Sequence, residues 1–174
     1  MVDLPGPSIV PRVVVQSADF DAGAELARLG GDGAAGVGGI ASFIGVVRGG
    51  EQSGRALVAM TLEHYPGMTE RMLGRIADEA IRRWVLTGCT VIHRVGRLCP
   101  GDNIVFVGTA SPHREAALQA TAFLIDWLKT AAPFWKAEEF AGGGSAWVAA
   151  RAADHVAAAA WGGHDGLPGG LAPL

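Results

Sequence analysis

A long amphipathic segment between residues 66 and 87 constrains the fold of this chain most strongly. Apolar side chains recur along it at four-residue steps: Met68, Met72, Ile76, Ala80 and Trp84. This spacing places them in one stripe of an α-helix. Pro66 stands where a first helical turn tolerates proline, and Gly88 is typical of a helix end. The segment therefore predicts a helix that must bury its stripe against an apolar surface.

A second long helix is predicted over residues 112–131, because its apolar positions also form one stripe and Pro133 prevents it from continuing. Two strands, 89–98 and 103–110, precede it, and the Pro-Gly sequence between them favours a tight reversal. The other predicted elements are strands at 9–16, 38–48, 56–64, 134–140 and 147–150 and short helices at 21–29 and 152–161. We expect the strands at 38–48 and 56–64 to form a hairpin.

Paired strands between interspersed helices favour an α+β fold with a mostly antiparallel sheet. The 174 residues suit one domain with a sizeable core, and we expect that domain to span residues 9–161. Residues 1–8 are predicted to be a flexible N-terminus. Residues 162–174 are rich in glycine and proline and are predicted to be a flexible tail.

Charge and cysteine content exclude several classes of function. A net charge of −3 gives no general nucleic-acid footprint, and no apolar run approaches the length of a membrane span. Cys89 and Cys99 form neither a CxxC pair nor a disulfide framework, which fits a reducing cytosol. The first residues do not resemble a signal peptide. We therefore expect a soluble, cytoplasmic protein.

Lys129 and Lys136 are the only lysines in a chain that otherwise uses arginine for its fixed positive charge. A lysine can act as a base, a nucleophile or a proton donor when burial or neighbouring cations lower its pKa. Lys129 also lies where a cation complements a helix C-terminus, so composition alone leaves its role open. Lys136 and Glu138 share one face of their predicted strand. Glu138 is therefore predicted to orient Lys136 or to hold an N–H group of a ligand.

Several motifs, in the right order and at the right spacing, resemble those of the large, catalytic subunits of molybdopterin synthases. They are FIGVVR at 43–48, LEHYPGM at 62–68, HRVG at 93–96, PGD at 100–102, HR at 113–114, LK at 128–129 and PFWK at 133–136. The resemblance covers about residues 10–161. It implies an α/β-hammerhead-like fold with two long helices.

The resemblance also implies a reaction and its partners. This family converts cyclic pyranopterin monophosphate into molybdopterin by building a dithiolene. The sulfur arrives as a thiocarboxylate on the C-terminal glycine of a small ubiquitin-like subunit. Two large subunits form a central homodimer, which becomes a heterotetramer with two small subunits. The step uses no metal and no organic cofactor.

The family's site positions fall on ten residues of this chain. Lys129 and Lys136 match the catalytic positions. The substrate-binding positions are Val46, Val47, Arg48, His113, Arg114, Lys129, Lys136, Ala137, Glu138 and Arg151. The arginines suit a phosphate because a guanidinium donates two hydrogen bonds at once, and a helix N-terminus at His113 favours an anion. Val46 departs from family members with a polar or basic residue there, and offers only backbone and packing.

The length of the second helix adds an inference of its own. Arg114 and Lys129 lie fifteen residues apart on it, which is roughly 22 Å along the axis at about 1.5 Å per residue. A small pterin phosphate cannot easily contact both ends. If both residues serve one site, His113 and Arg114 come from the other protomer. We therefore predict a composite site at a two-fold interface.

Two other functions stay open at this point. A non-catalytic module that only binds a ubiquitin-like sulfur carrier requires no lysine chemistry. A persulfide sulfurtransferase requires a reactive thiol, for which Cys99 at the edge of a turn is the candidate. The lysines and the motifs favour the synthase over both.

Overall fold

The computed structural model describes residues 9–31, 36–52, 54–148, 156 and 158–161. Its elements are β1 (Arg12–Gln16), α1 (Ala22–Gly30), β2 (Gly39–Val46), β3 (Glu51–Gln52), β4 (Arg55–His64), α2 (Met68–Arg83), β5 (Gly88–Arg94), β6 (Gly96–Leu98), β7 (Asn103–Ser111), α3 (Arg114–Thr130), β8 (Phe134–Phe140) and β9 (Ser145–Val148). The predicted flexible segments 1–8 and 162–174, and half of the predicted helix at 152–161, lie outside the described residues. None of the described helices is long and apolar enough to cross a membrane.

Two sheets build the fold. The first has the strand order β1-β5-β7-β2, with β1 parallel to β5 and the other pairs antiparallel. The second has the order β3-β4-β8-β9, and β6 also pairs with β4; every pair in it is antiparallel. The predicted α+β fold with mostly antiparallel sheet is therefore confirmed.

The two long helices cover one face of the first sheet. Leu73 and Ile76 of α2 and Phe123 of α3 are fully buried in a cluster that includes Val91 of β5. On the opposite face, Leu29 of α1 packs in a second cluster with Ile92 of β5 and with residues of β7. Each large apolar side chain buried in this way contributes roughly 1.5–3 kcal/mol relative to exposure, so the amphipathic stripes determine where the helices lie.

The predicted hairpin between 38–48 and 56–64 is wrong. β2 pairs along its length with β7, and β4 pairs with β3, β6 and β8. After β2, the Val47 N–H donates to the carbonyl oxygen of Asp102, and the Gly101 N–H donates to that of Val47. These bonds hold the exit of β2 beside the turn that precedes β7. The chain then enters the second sheet instead of folding back on β2.

The helix predicted at 66–87 and the strand predicted at 89–98 also differ from the structure. The helix predicted at 66–87 spans only Met68–Arg83, because Gly67 caps its start with a φ of 79° and Trp84 is extended. The strand predicted at 89–98 divides into β5 and β6. Gly96 has a φ of 88°, which a glycine adopts without strain, and the chain there leaves the first sheet to pair with β4.

Gly38→Ala is expected to lower the free energy of unfolding by about 1–3 kcal/mol. A Cβ at Gly38 would lie 2.1 Å from the carbonyl oxygen of Pro112, which belongs to the backbone before α3. Gly74→Ala is the matched control, because a Cβ there meets nothing within 4 Å and alanine favours a helix interior by about 1 kcal/mol. Urea unfolding measures both variants. A Gly38→Ala midpoint equal to that of the wild type would contradict the close packing.

Candidate functional site

Lys136 and Glu138 lie on one face of β8, as predicted. Lys136 Nζ is 2.9 Å from Glu138 Oε1. Glu138 is only 9% exposed, and its Oε2 has no hydrogen-bond partner in the described part of the chain. A buried carboxylate oxygen without a partner is costly, so this atom is ready to accept a hydrogen bond from a ligand. Ala137 points to the opposite face, and only its backbone can line the same pocket.

The end of β2 meets the sheet that carries Lys136. Val47 is 3% exposed and belongs to the same apolar cluster as Leu62 of β4, and Leu62 is the cross-strand partner of Lys136. The register of β2 shifts at Val46, and such bulges redirect side chains next to functional sites. Arg48 follows as an exposed cation. The structure thus brings the predicted segments 46–48 and 136–138 toward one another.

The other predicted residues lie at the two ends of α3. His113 is the N-cap and Arg114 the first helical residue, whereas Lys129 is in the last turn. All three are exposed. A single uninterrupted helix therefore separates Arg114 from Lys129, and one chain does not bring them together. Arg151 lies outside the described residues.

Sequence reasoning missed the contact that holds the turn between the two lysines. His93 of β5 stacks on Phe134, the first residue of β8, with ring centroids 3.8 Å apart and planes inclined by 16°. Burial lowers the pKa of His93 to about 4, although its hydrogen bond to the Arg94 carbonyl oxygen acts in the opposite direction. The imidazole is therefore neutral near pH 7. The HRVG motif was the only available signal, and it does not name the partner ring.

The two cysteines differ in accessibility. Cys89 is buried in β5, and desolvation, followed by the charge of Asp78, raises its thiol pKa to about 12. Cys99 is exposed, and the Arg97 guanidinium lies 3.6 Å from its sulfur. Only Cys99 is therefore open to chemistry at neutral pH.

Thiol labelling is expected to reveal this difference. At pH 8 the native protein should react rapidly at Cys99 and at least about tenfold more slowly at Cys89, because the thiolate and not the thiol is the nucleophile. Both thiols should react at similar rates in denaturant. Cys99→Ala provides the control, since it should remove the fast phase. Rapid labelling of Cys89 in the native Cys99→Ala variant would contradict its burial.

Known proteins are similar to this chain over most of its length. The family model described as MoaE protein matches residues 15–131. The molybdopterin synthase catalytic subunit of Mesorhizobium japonicum is 51% identical over 154 residues, which are 88% of this chain and 94% of that protein. Its Escherichia coli namesake is 48% identical over 153 residues, covering 86% and 97%. The solved molybdopterin biosynthesis MoaE protein from Burkholderia ambifaria is 45% identical with a TM-score of 0.74, covering 88% and 99%.

Proposed function

Because this chain belongs to the MoaE protein family, we propose that it is the catalytic subunit of a molybdopterin synthase. It transfers sulfur from the thiocarboxylated C-terminus of a small ubiquitin-like subunit to cyclic pyranopterin monophosphate. The product is the dithiolene of molybdopterin. The enzyme acts in the cytoplasm, where free thiols such as Cys89 and Cys99 persist.

The Lys136–Glu138 pair is the observation that carries this proposal. A largely buried carboxylate holds the Lys136 amine at 2.9 Å, so the amine has a fixed position. The free Glu138 Oε2 suits an N–H group of a pterin, because a carboxylate oxygen only accepts hydrogen bonds. Arg48 suits the phosphate, since its guanidinium donates two parallel bonds. The reaction requires an amine, a hydrogen-bond acceptor for the pterin and a hydrogen-bond donor for the phosphate, and these residues supply all three.

In the reaction, the thiocarboxylate sulfur attacks the substrate carbon at which a dithiolene carbon–sulfur bond forms, and the carbon–oxygen bond there breaks. Water then hydrolyses the acyl–sulfur bond and releases the small subunit with a C-terminal carboxylate. Lys129 or Lys136 transfers a proton or stabilises the intermediate that links substrate and small subunit. The transfer occurs twice, because a dithiolene contains two sulfur atoms. The phosphate and the pterin are held by the remaining site residues: Val46, Val47, Arg48, His113, Arg114, Ala137, Glu138 and Arg151.

An apolar surface at the edge of the first sheet suits a second copy of the chain. β2 is at the end of its sheet, and its outer edge has no strand partner among the described residues. Half-exposed apolar side chains follow this edge: Ile40, Phe43, Ile44 and Val46. Leu118, which is 62% exposed on α3, belongs to a helical stripe that runs from Arg114 to Lys129. Exposed apolar patches of this kind mark interfaces.

A two-fold axis through this surface completes the site. The midpoint of Arg114 and Lys129 falls between Thr121 and Ala122. Antiparallel packing of two α3 helices about that point sets Arg114 of one copy beside Lys129 of the other, and the small Ala122 permits close approach. Two cations that lie close together attract an anion, and the substrate phosphate is an anion of suitable size for this place. One small subunit at each end of this homodimer gives a heterotetramer.

Reconstitution with a small subunit tests the proposed function. The purified chain should convert cyclic pyranopterin monophosphate to molybdopterin when the small subunit carries a C-terminal thiocarboxylate, and should form no product when that subunit carries a carboxylate. Product is measured after oxidation to its fluorescent pterin derivative. Binding of the small subunit without product would favour the non-catalytic sulfur-carrier module. Cys99→Ala should retain wild-type turnover, and its loss would favour the persulfide sulfurtransferase.

A further inference from the structure

A short turn connects the two lysine-bearing elements. α3 ends at Thr130 and β8 begins at Phe134, so only residues 131–133 separate the helix of Lys129 from the strand of Lys136. Any rotation of this turn changes the position of one amine relative to the other. The geometry of the proposed site therefore depends on what holds the turn.

Two contacts from distant parts of the chain hold it. The fully buried Thr69 hydroxyl donates to the carbonyl oxygen of Pro133 at 3.4 Å and accepts a hydrogen bond from the Tyr65 N–H at 3.2 Å. His93 stacks on Phe134 with ring centroids 3.8 Å apart. The first contact anchors the turn from the start of α2, and the second anchors it from the centre of the first sheet.

His93 is itself rigid. Its strand is paired on both sides, opposite Val15 of β1 and Val105 of β7. Its ring Nδ1 lies 2.8 Å from the carbonyl oxygen of Arg94, and because a carbonyl only accepts, Nδ1 carries the hydrogen. The ring plane is thus fixed, and so is the plane of the Phe134 ring that stacks on it. An aromatic pair stacked in this way stabilises the fold by about 0.5–1.5 kcal/mol in addition to the contribution of its buried area.

We propose that His93 is a positioning residue for sulfur transfer, which through its stack on Phe134 fixes the spacing of Lys129 and Lys136. Thr69 supports the same turn through Pro133. This inference rests on the proposed function, since it assigns a task to the turn between the two proposed catalytic lysines. His93 acts through the face of its ring, which contacts Phe134 next to the turn. Its Nδ1–H contacts only the Arg94 carbonyl oxygen and does not touch the turn.

A matched pair of substitutions tests this role. His93→Phe keeps an aromatic ring against Phe134 and loses the donor to Arg94. His93→Gln keeps a donor for Arg94 and loses the ring. We expect His93→Gln to lower kcat about 10–100-fold, because small misplacements of reacting groups have effects of that size. The KM for the cyclic pterin and the affinity for the small subunit should stay within about twofold, because Arg48, His113 and Arg114, which lie outside this turn, still hold the phosphate. His93→Phe should restore kcat to within about threefold of the wild type.

Each outcome decides the proposal. Equal kcat for His93→Gln and the wild type overturns it, and so does a His93→Phe variant as slow as His93→Gln. If His93→Gln does not fold, as judged by circular dichroism, Thr69→Val decides instead, because it keeps the side-chain volume and removes the hydroxyl that bonds to Pro133 and Tyr65. That variant should lower kcat without a change in KM, and wild-type kcat would again overturn the proposal. An inactive wild-type chain would refute the proposed function itself.

Discussion

Lys136→Ala is expected to lower kcat for sulfur transfer by at least about 100-fold, because a positioned proton-transfer group contributes a factor of that order. Lys136→Arg should lose most of this rate as well. A guanidinium retains the positive charge beside Glu138 but cannot give up its proton in a protein. Single-turnover formation of molybdopterin measures both variants. Full activity of Lys136→Arg would show that the site needs only a cation.

Stability needs its own control in this experiment. Lys136→Ala leaves the largely buried Glu138 carboxylate without the partner it has at 2.9 Å, which should lower the free energy of unfolding by about 1–3 kcal/mol. The double variant Lys136→Ala/Glu138→Gln removes the unpaired charge and should recover most of that loss. It should not recover kcat. Recovery of both would assign Lys136 a purely structural role.

Mixed dimers of Arg114→Ala and Lys129→Ala chains are expected to regain about half of the wild-type activity, although each parent homodimer is nearly inactive. If a site takes Arg114 from one copy and Lys129 from the other, a mixed dimer holds one intact site and one doubly defective site. Two different affinity tags isolate the mixed species, and turnover per dimer is the measurement.

The reciprocal mixture is the control. A dimer of one wild-type chain and one Arg114→Ala/Lys129→Ala chain contains no intact composite site and should be nearly inactive. If both residues served a site within one chain, the results would be reversed. The dimer of a wild-type and a doubly substituted chain would then have half of the activity, and the dimer of the two single variants would have none. Such a reversal would contradict the two-fold arrangement about α3.

Periodicity predicted the helices because each of them buries a single stripe. The apolar steps from Met68 to Ala80 are sufficient to identify α2, but they locate its buried face only roughly, because Met68 is 38% exposed and the fully buried apolar residues centre on Leu73 and Ile76. They do not identify its end, because Trp84 continues the stripe in sequence while its backbone is already extended. Its ring packs edge-on against Phe123 of α3, and that contact depends on a residue far along the chain.

Strand pairing exceeded what local patterns can determine. β2 and β4 are neighbours in sequence, yet β2 pairs with β7, which begins more than fifty residues later. The bonds from Val47 to Gly101 and Asp102 that direct this choice join two turns of the backbone. No side-chain pattern encodes such bonds.

In the candidate site, too, contacts between residues close in sequence were predictable, and contacts between distant residues were not. The scarcity of lysine and the strand alternation were sufficient to predict that Lys136 and Glu138 are neighbours, and the 2.9 Å contact confirms it. Helix length was sufficient to separate Arg114 from Lys129. The stack of His93 on Phe134 joins residues from different sheets, so only a structure could reveal it.

Sulfur transfer by Lys129→Ala is the most direct measurement of the central claim. The thiocarboxylated small subunit and cyclic pyranopterin monophosphate are mixed with excess enzyme, and molybdopterin is followed over a single turnover. Lys129→Ala should bind the small subunit as tightly as the wild type and form product at least about 100-fold more slowly. Equal rates of product formation by the two proteins would contradict a catalytic site built on these lysines.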